Sequence, residues 1–196
     1  GDMIGRGGGA EDAARCRIRC AWGKFNELSP FLTRRGLSLK RKGCIYDLYV
    51  RRTLVHGSET WPMKAVDVQQ ITRTERSMVR RMCGVRLEDK RRSEDLLKLM
   101  DIVSVEEVMN RSALRWLGHV ERKDDSDYVS KCRRMVVEGE ACRGRKRLTW
   151  EGRMDGVMKS RKLCKGMADD REGWRKGSAS LRPARLGMQT RASSRH

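Results

Sequence analysis

The sequence predicts an all-α fold, an irregular array of amphipathic helices rather than a closed bundle. Three observations lead there. Apolar residues recur at steps of three and four through most of the chain, as on one face of a helix. No stretch of four or more residues alternates apolar and polar with β-branched enrichment, so no strand is expected. Capping residues (Ser38, Ser93, Ser104, Thr149) precede the periodic stretches, and Gly57 and Gly84 follow two of them.

Residues 1–10 are glycine-rich and read as a flexible loop. From Glu11 to Leu28 the positions Ala14, Ile18, Ala21, Trp22, Phe25 and Leu28 share a helix face, and Pro30 is expected to close it. Ser38 caps a second helix, Leu39 to His56, with Ile45, Leu48, Tyr49 and Val55 on one side; Gly43 weakens its first turns. After the turn Ser58 to Pro62, anchored by Trp61, a third helix runs from Ala65 to Met82 on Ile71, Met78 and Met82. Its other faces carry Arg73, Arg76, Arg80 and Arg81.

Ser93 caps a short helix containing Leu96, Leu97 and Met100. Ser104 and Glu107 form a Ser-x-x-Glu capping box ahead of a longer one, with Val105, Val108, Met109, Ser112, Trp116 and Val120 at helical spacing. Beyond Lys123 the pattern fades to a short helix around Val129, Cys132, Met135 and Val136. A basic linker from Gly139 to Arg147 follows. Thr149 caps a helix through Met158, and Asp169 begins a last one ending near Trp174. These signals divide the chain into a helical domain at 11–123, a basic helical extension at 124–176, and a disordered basic tail at 177–196.

The chain has 196 residues, 45 Lys+Arg against 26 Asp+Glu, and a net charge of +19. A balance this lopsided favours a polyanionic partner, nucleic acid before an anionic membrane. The excess is uneven: residues 139–196 hold 16 Lys+Arg and 6 Asp+Glu. Leu, Ile, Val and Phe together number 37, a thin core that the 11 Met and 5 Trp must supplement. No apolar run approaches the ~20 residues of a membrane span, and no signal peptide is recognisable. Seven cysteines, an odd number without a secretory segment, read as reduced intracellular thiols. A start at Gly1 rather than Met reads as a fragment.

Chemistry of bond making has little to work with. A polymerase or nuclease needs carboxylates converging on a divalent metal. The Asp-Asp pairs, Asp124-Asp125 and Asp169-Asp170, stand at possible helix starts, where acids serve the cap and the helix dipole. His119, Cys132 and Cys142 are spaced too irregularly for a zinc site. Gly7-Gly8-Gly9 lacks the Gly-Lys-Ser/Thr ending of a phosphate loop. No catalytic residue and no metal ligand is assigned.

Polyanion binding has candidates. Arg143, Arg145, Lys146 and Arg147 lie within five residues, and Gly144 lets the backbone come close to a phosphate. Arg115, Trp116 and His119 put aromatic rings beside positive charge, as does Trp150, and such rings can stack on bases. As tryptophans at helical spacing, Trp116 and Trp150 also suit a core. Lys40, Arg41 and Lys42 add charge at the start of the second helix.

Six segments occur in one order: Ala21-Trp-Gly-Lys-Phe25, Ser38-Leu-Lys-Arg-Lys42, His56-Gly-Ser-Glu-Thr-Trp61, Arg80-Arg-Met-Cys-Gly84, Leu114-Arg-Trp-Leu-Gly-His-Val120, and Arg143-Gly-Arg-Lys-Arg-Leu-Thr-Trp150. That order resembles the C-terminal region of non-LTR (LINE-like) retrotransposon reverse transcriptases, downstream of the catalytic palm, over residues 1–175. The resemblance implies a thumb and helical extension that grips a template–primer duplex or target DNA. It implies a parent RNA-directed DNA polymerase that uses magnesium in its palm and works in the nucleus. The partners so implied are RNA or DNA and the rest of that polymerase, with no membrane and no small-molecule substrate. The segment itself is expected to hold no cofactor and to be non-catalytic alone. Related elements carry proline where Lys146 stands, and residues beyond 176 match nothing in the family. The alternatives are a helical protein-interaction module using methionine faces on the third and fourth helices, or a non-functional retroelement relic.

Overall fold

The computed structural model of the protein describes residues 10–135 and 149–179. The glycine-rich start, the basic run 143–147 and the tail from 180 onward lie outside those residues. Every regular element described is helical, and none is a strand, as the periodicity predicts.

Helix α1 spans Glu11–Leu32 and buries Ala14, Ala21 and Phe25, with Ile18, Trp22 and Leu28 packed beside them. Pro30 does not end the helix; it sits inside the last turn. Proline removes one intrahelical donor there, but Leu32 is fully buried and holds the turn to the core. Thr33 closes the end, its N–H and its hydroxyl both donating to the Ser29 carbonyl, at 2.9 and 2.8 Å.

Helix α2 (Leu39–Ile45) passes without a break into a π-helical segment (Tyr46–Arg51) and a final α turn, α3 (Arg52–Leu54). The expected apolar face is buried only in part: Ile45 and Val55 pack against the core. Leu48 and Tyr49 are exposed, while Tyr46, Val50 and Leu54 are fully buried. The wider π turn shifts the phase of the helix, and it aligns residues five apart instead of four. Thus the Arg51 guanidinium lies 5.3 Å from the centre of the Tyr46 ring. Gly43 also has a packing role: a Cβ there would come within 2.2 Å of the Met100 carbonyl oxygen, so only glycine lets α2 approach that close.

Helix α4 (Ala65–Cys83) buries Ile71, Met78, Val79 and Met82, and ends on Gly84 at φ 66°. It also buries Glu75, 1% exposed, which hydropathy does not predict. Glu75 accepts from Arg51 at 3.1 and 2.8 Å and from the Val105 N–H at 2.7 Å. Arg51 further donates to the Val103 carbonyl at 2.7 Å and to Asp47 at 2.8 Å. Burial pushes the Glu75 carboxyl above its usual range, and Arg51 and the Val105 N–H pull it back. The network joins the π segment, α4 and the start of the next long helix.

After the short α5 (Ser93–Leu99) comes α6 (Val105–Glu121), capped by the Ser104 hydroxyl, which accepts from Glu107 N–H at 3.3 Å. The reciprocal half of the expected box is missing, because the Glu107 carboxylate takes Arg111 and Arg161 instead. The first half of α6 completes a core built with α1, α2 and α4. Its second half, Ala113, Leu114 and Leu117, belongs to another cluster with Met154, Met158, Leu163, Ala168 and Trp174. The second cluster comes from α8 (Trp150–Ser160), a 3-10 turn (Lys165–Ala168) and α9 (Arg171–Ser178). Gly177 and Ser178 thus belong to α9, not to the tail: Gly177 packs on Leu163, and the Ser178 carbonyl accepts from Arg161 at 2.7 Å.

Helix α7 (Tyr128–Arg134) is capped by Asp127, which accepts from Val129 N–H at 2.8 Å. Arg133 ties it down by donating to Glu121 at 2.7 Å and to Glu151 at 2.6 Å. That hydrogen bond holds the Glu151 carboxyl below its usual range; Lys123 and the Val129 N–H do the same for Asp127. The unfolded chain then binds these protons more readily than the folded one, so stability rises with pH through this window. The contribution is complete above the ordinary carboxylate range and is lost as pH falls through the depressed values. We expect α7 amides to lose hydrogen-exchange protection on acidification before those of α4, and Glu151→Gln to remove part of that dependence. Identical acid profiles for the wild type and the variant would count against this bridge.

Candidate nucleic-acid interface

The segment Leu114-Arg-Trp-Leu-Gly-His119 lies in the second half of α6, and the helical period sorts its side chains. Leu114, Leu117 and Gly118 are buried, Trp116 is half-buried, and Arg115 and His119, one turn apart, are exposed. The Trp116 and His119 rings have centroids 5.6 Å apart and planes inclined by 41°. Gly118 serves as a seat. A Cβ built on it would lie 2.2 Å from Trp174 Nε1, so the absence of a side chain lets the indole rest against the helix backbone. Trp174 then donates its indole N–H to the Leu114 carbonyl at 2.9 Å.

Docking of Trp174 brings α9 alongside α6. Asp170 caps α9 by accepting from Glu172 and Gly173 N–H groups, at 3.1 and 3.0 Å. Arg171 and Arg175, one turn apart, are exposed on this helix. Between α6, α9 and the 3-10 turn Ser58–Thr60 lies a groove of about 910 Å³. Arg111, Arg115, Arg122, Arg171 and Arg175 line it, against one acid, Glu59. Arg111 pairs with Glu107 at 2.9 Å, and Arg122 donates to the Ala168 carbonyl at 2.8 Å. Arg115, Arg171 and Arg175 form no ion pair with any described residue. Unneutralised guanidiniums converging on a concavity make an anion site, with planar forks suited to phosphate.

The expected site residues fall into five groups. Arg115, Trp116 and His119 line the groove together. Trp150 is fixed beside it as a structural anchor, its indole N–H donating to the Glu59 carbonyl at 2.7 Å. Lys40 and Arg41 are exposed at the start of α2 and do not line the groove. Lys42 is 5% exposed, and its ammonium donates to the Met82 carbonyl at 3.0 Å, which closes the end of α4 rather than meeting solvent. Arg143, Arg145, Lys146 and Arg147 lie outside the described residues.

The Arg171/Arg175 pair was missed because nothing local connects it to α6. Its one legible signal is the spacing of two arginines either side of a tryptophan in a capped helix. Three of the recurring segments do meet here: the turn 56–61, the α6 segment, and Trp150 at the end of the basic run.

One comparison now bears on origin. The chain is similar to a transposon-derived protein of Caenorhabditis elegans, 27% identical over 118 residues. The match covers 58% of this chain and 42% of that relative, so the chain spans less than half its length. This similarity supports a transposon-derived origin. No family model matches the chain, and no solved structure matches it.

Among the described residues no three His, Cys, Asp or Glu side chains gather as metal ligands would. Asp127 and Asp170 are helix caps, and Asp124 and Asp169 are exposed. No described helix is long and apolar enough to cross a membrane.

Proposed function

We propose that this chain is a nucleic-acid-binding helical segment of a LINE-like reverse transcriptase, non-catalytic by itself and working in the nucleus with the rest of its parent polymerase. The observation that carries the reading is the groove between α6 and α9, with five arginines against one acid. In this reading Arg115, Arg171 and Arg175 hold phosphates, and the run Arg143, Arg145, Lys146 and Arg147, which precedes α8 in sequence, adds further phosphate contacts. Lys40 and Arg41 form a separate, weaker patch. Magnesium belongs to the palm of the parent and has no part in this segment. The transposon-derived origin and the order of the sequence segments both support the assignment.

The protein-interaction alternative loses its main argument, since Met78, Met82 and Met100 of the third and fourth helical segments are buried in the core. Replacing Arg115, Arg171 and Arg175 together by Gln should weaken RNA or DNA binding. It should also flatten the slope of log K against log salt by about 2 to 3 units, since each phosphate contact contributes about 0.7 to 0.9. Neutralising Arg143, Arg145, Lys146 and Arg147 should have a similar effect. Unchanged affinity and slope in both variants, measured by filter binding from 50 to 300 mM salt, would reject the reading.

A further inference from the structure

We infer that the α6–α9 groove accepts unpaired bases, so that it holds a single strand of RNA or DNA in preference to a double helix. The inference rests on the reading that the partner is nucleic acid, and adds which form of it enters and which residue recognises it.

Size is the first argument. At about 910 Å³ the groove lies within the range, roughly 300 to 1,000 Å³, of sites that enclose small molecules. That suits one or a few nucleotides. A double helix offers a convex cylinder with its bases already stacked inside, so it meets the groove only at the rim.

The aromatic lining is the second. A track for duplex phosphates needs charge and hydrogen-bond donors but no exposed ring. Here Trp116 and His119 stand among the arginines. Their rings meet at a tilt, with centroids 5.6 Å apart and planes inclined by 41°, rather than in a face-to-face stack. Trp116 is half-buried, which holds the indole in place. Trp174 cannot substitute: it is 3% exposed, and its N–H is taken by the Leu114 carbonyl. The groove therefore pairs one available indole with guanidiniums from two helices, Arg115 on one side and Arg171 and Arg175 on the other. Stacking on the indole with phosphates held by arginine is the chemistry of single-strand recognition.

The experiment uses the full chain, a labelled single-stranded oligonucleotide and its blunt duplex, followed by fluorescence anisotropy at fixed salt. Trp116→Leu keeps apolar bulk without an aromatic face, and Trp116→Phe keeps a face. The wild type should prefer the single strand. Trp116→Leu should weaken single-strand binding by about 5- to 150-fold, the range for loss of one base–aromatic stack, and leave duplex binding within about twofold. Trp116→Phe should recover most of the loss. Equal losses on both probes, or no loss on the single strand, overturn the inference while the broader reading stands on the arginine variants. Failure of the wild type to bind either probe removes both.

Discussion

Glu75→Ala should cost about 3–5 kcal/mol of folding stability, the toll of breaking a buried ion pair by removing one partner. The variant leaves the Arg51 guanidinium, 2% exposed, without its buried carboxylate partner, only the solvent-facing Asp47 remaining, and the Val105 N–H at the start of α6 without its acceptor. Domains of ordinary stability have about 5–15 kcal/mol in all, so the loss is a large fraction of the whole. Urea denaturation followed at 222 nm should show a lower midpoint with the slope unchanged. Replacing both partners, Arg51→Met with Glu75→Met, should be less harmful than Glu75→Ala alone, because no charge is then stranded. A Glu75→Ala protein within about 1 kcal/mol of the wild type would mean that the buried pair does not fasten α4 to the π segment and α6.

That network also marks where the sequence stops being readable. The three-and-four spacing of α1 and α4 was legible because their buried positions are apolar: Ala14, Ala21 and Phe25 in one, Ile71, Met78 and Met82 in the other. In the second helical segment the same reasoning picked Leu48 and Tyr49, which are exposed. It failed there because the buried stripe includes Arg51 and Lys42, and because a π turn breaks the 3.6-residue period on which the reading depends. Pro30 misled for a related reason. A local breaker was overruled by the burial of Leu32 two residues on.

The candidate site was half legible. Arg115, Trp116 and His119 could be chosen from their own segment, since a helix places them on or beside one face. Trp150 and Lys42 looked equally suitable by composition, but their polar hydrogens are engaged by the Glu59 and Met82 carbonyls. Those bonds span 91 and 40 residues of sequence, and no local pattern encodes them. The arginines of α9 were invisible until Trp174 was seated on Gly118. The groove is thus a product of tertiary docking, and its charge can be counted in sequence without its shape being foreseen.

The docking itself supplies the second large expected effect. Gly118→Ala adds a single methyl group, yet its Cβ would stand 2.2 Å from Trp174 Nε1 and 2.6 and 2.8 Å from two neighbouring indole carbons. An indole is rigid, so the ring has to leave. With it go the hydrogen bond to Leu114 and the burial of a residue that is now 3% exposed. Trp174→Ala should cost about 3–5 kcal/mol as a large-to-small core substitution, and Gly118→Ala should approach that figure by a steric route. The loss should be greatest in the second cluster: hydrogen exchange should accelerate in α8 and α9 more than in α1 or α4. Gly23→Ala is the control. It stands exposed on α1 with nothing within 4 Å of its added Cβ, and by removing a helix-interior glycine it should be neutral or stabilising by about 0.5–1 kcal/mol. Nucleic-acid binding should fall with Gly118→Ala and not with Gly23→Ala, because only the former releases the helix that carries Arg171 and Arg175. If the two glycine variants prove indistinguishable in exchange and in binding, then α9 does not form a wall of the groove, and the arginines it carries have no common ligand with Arg115.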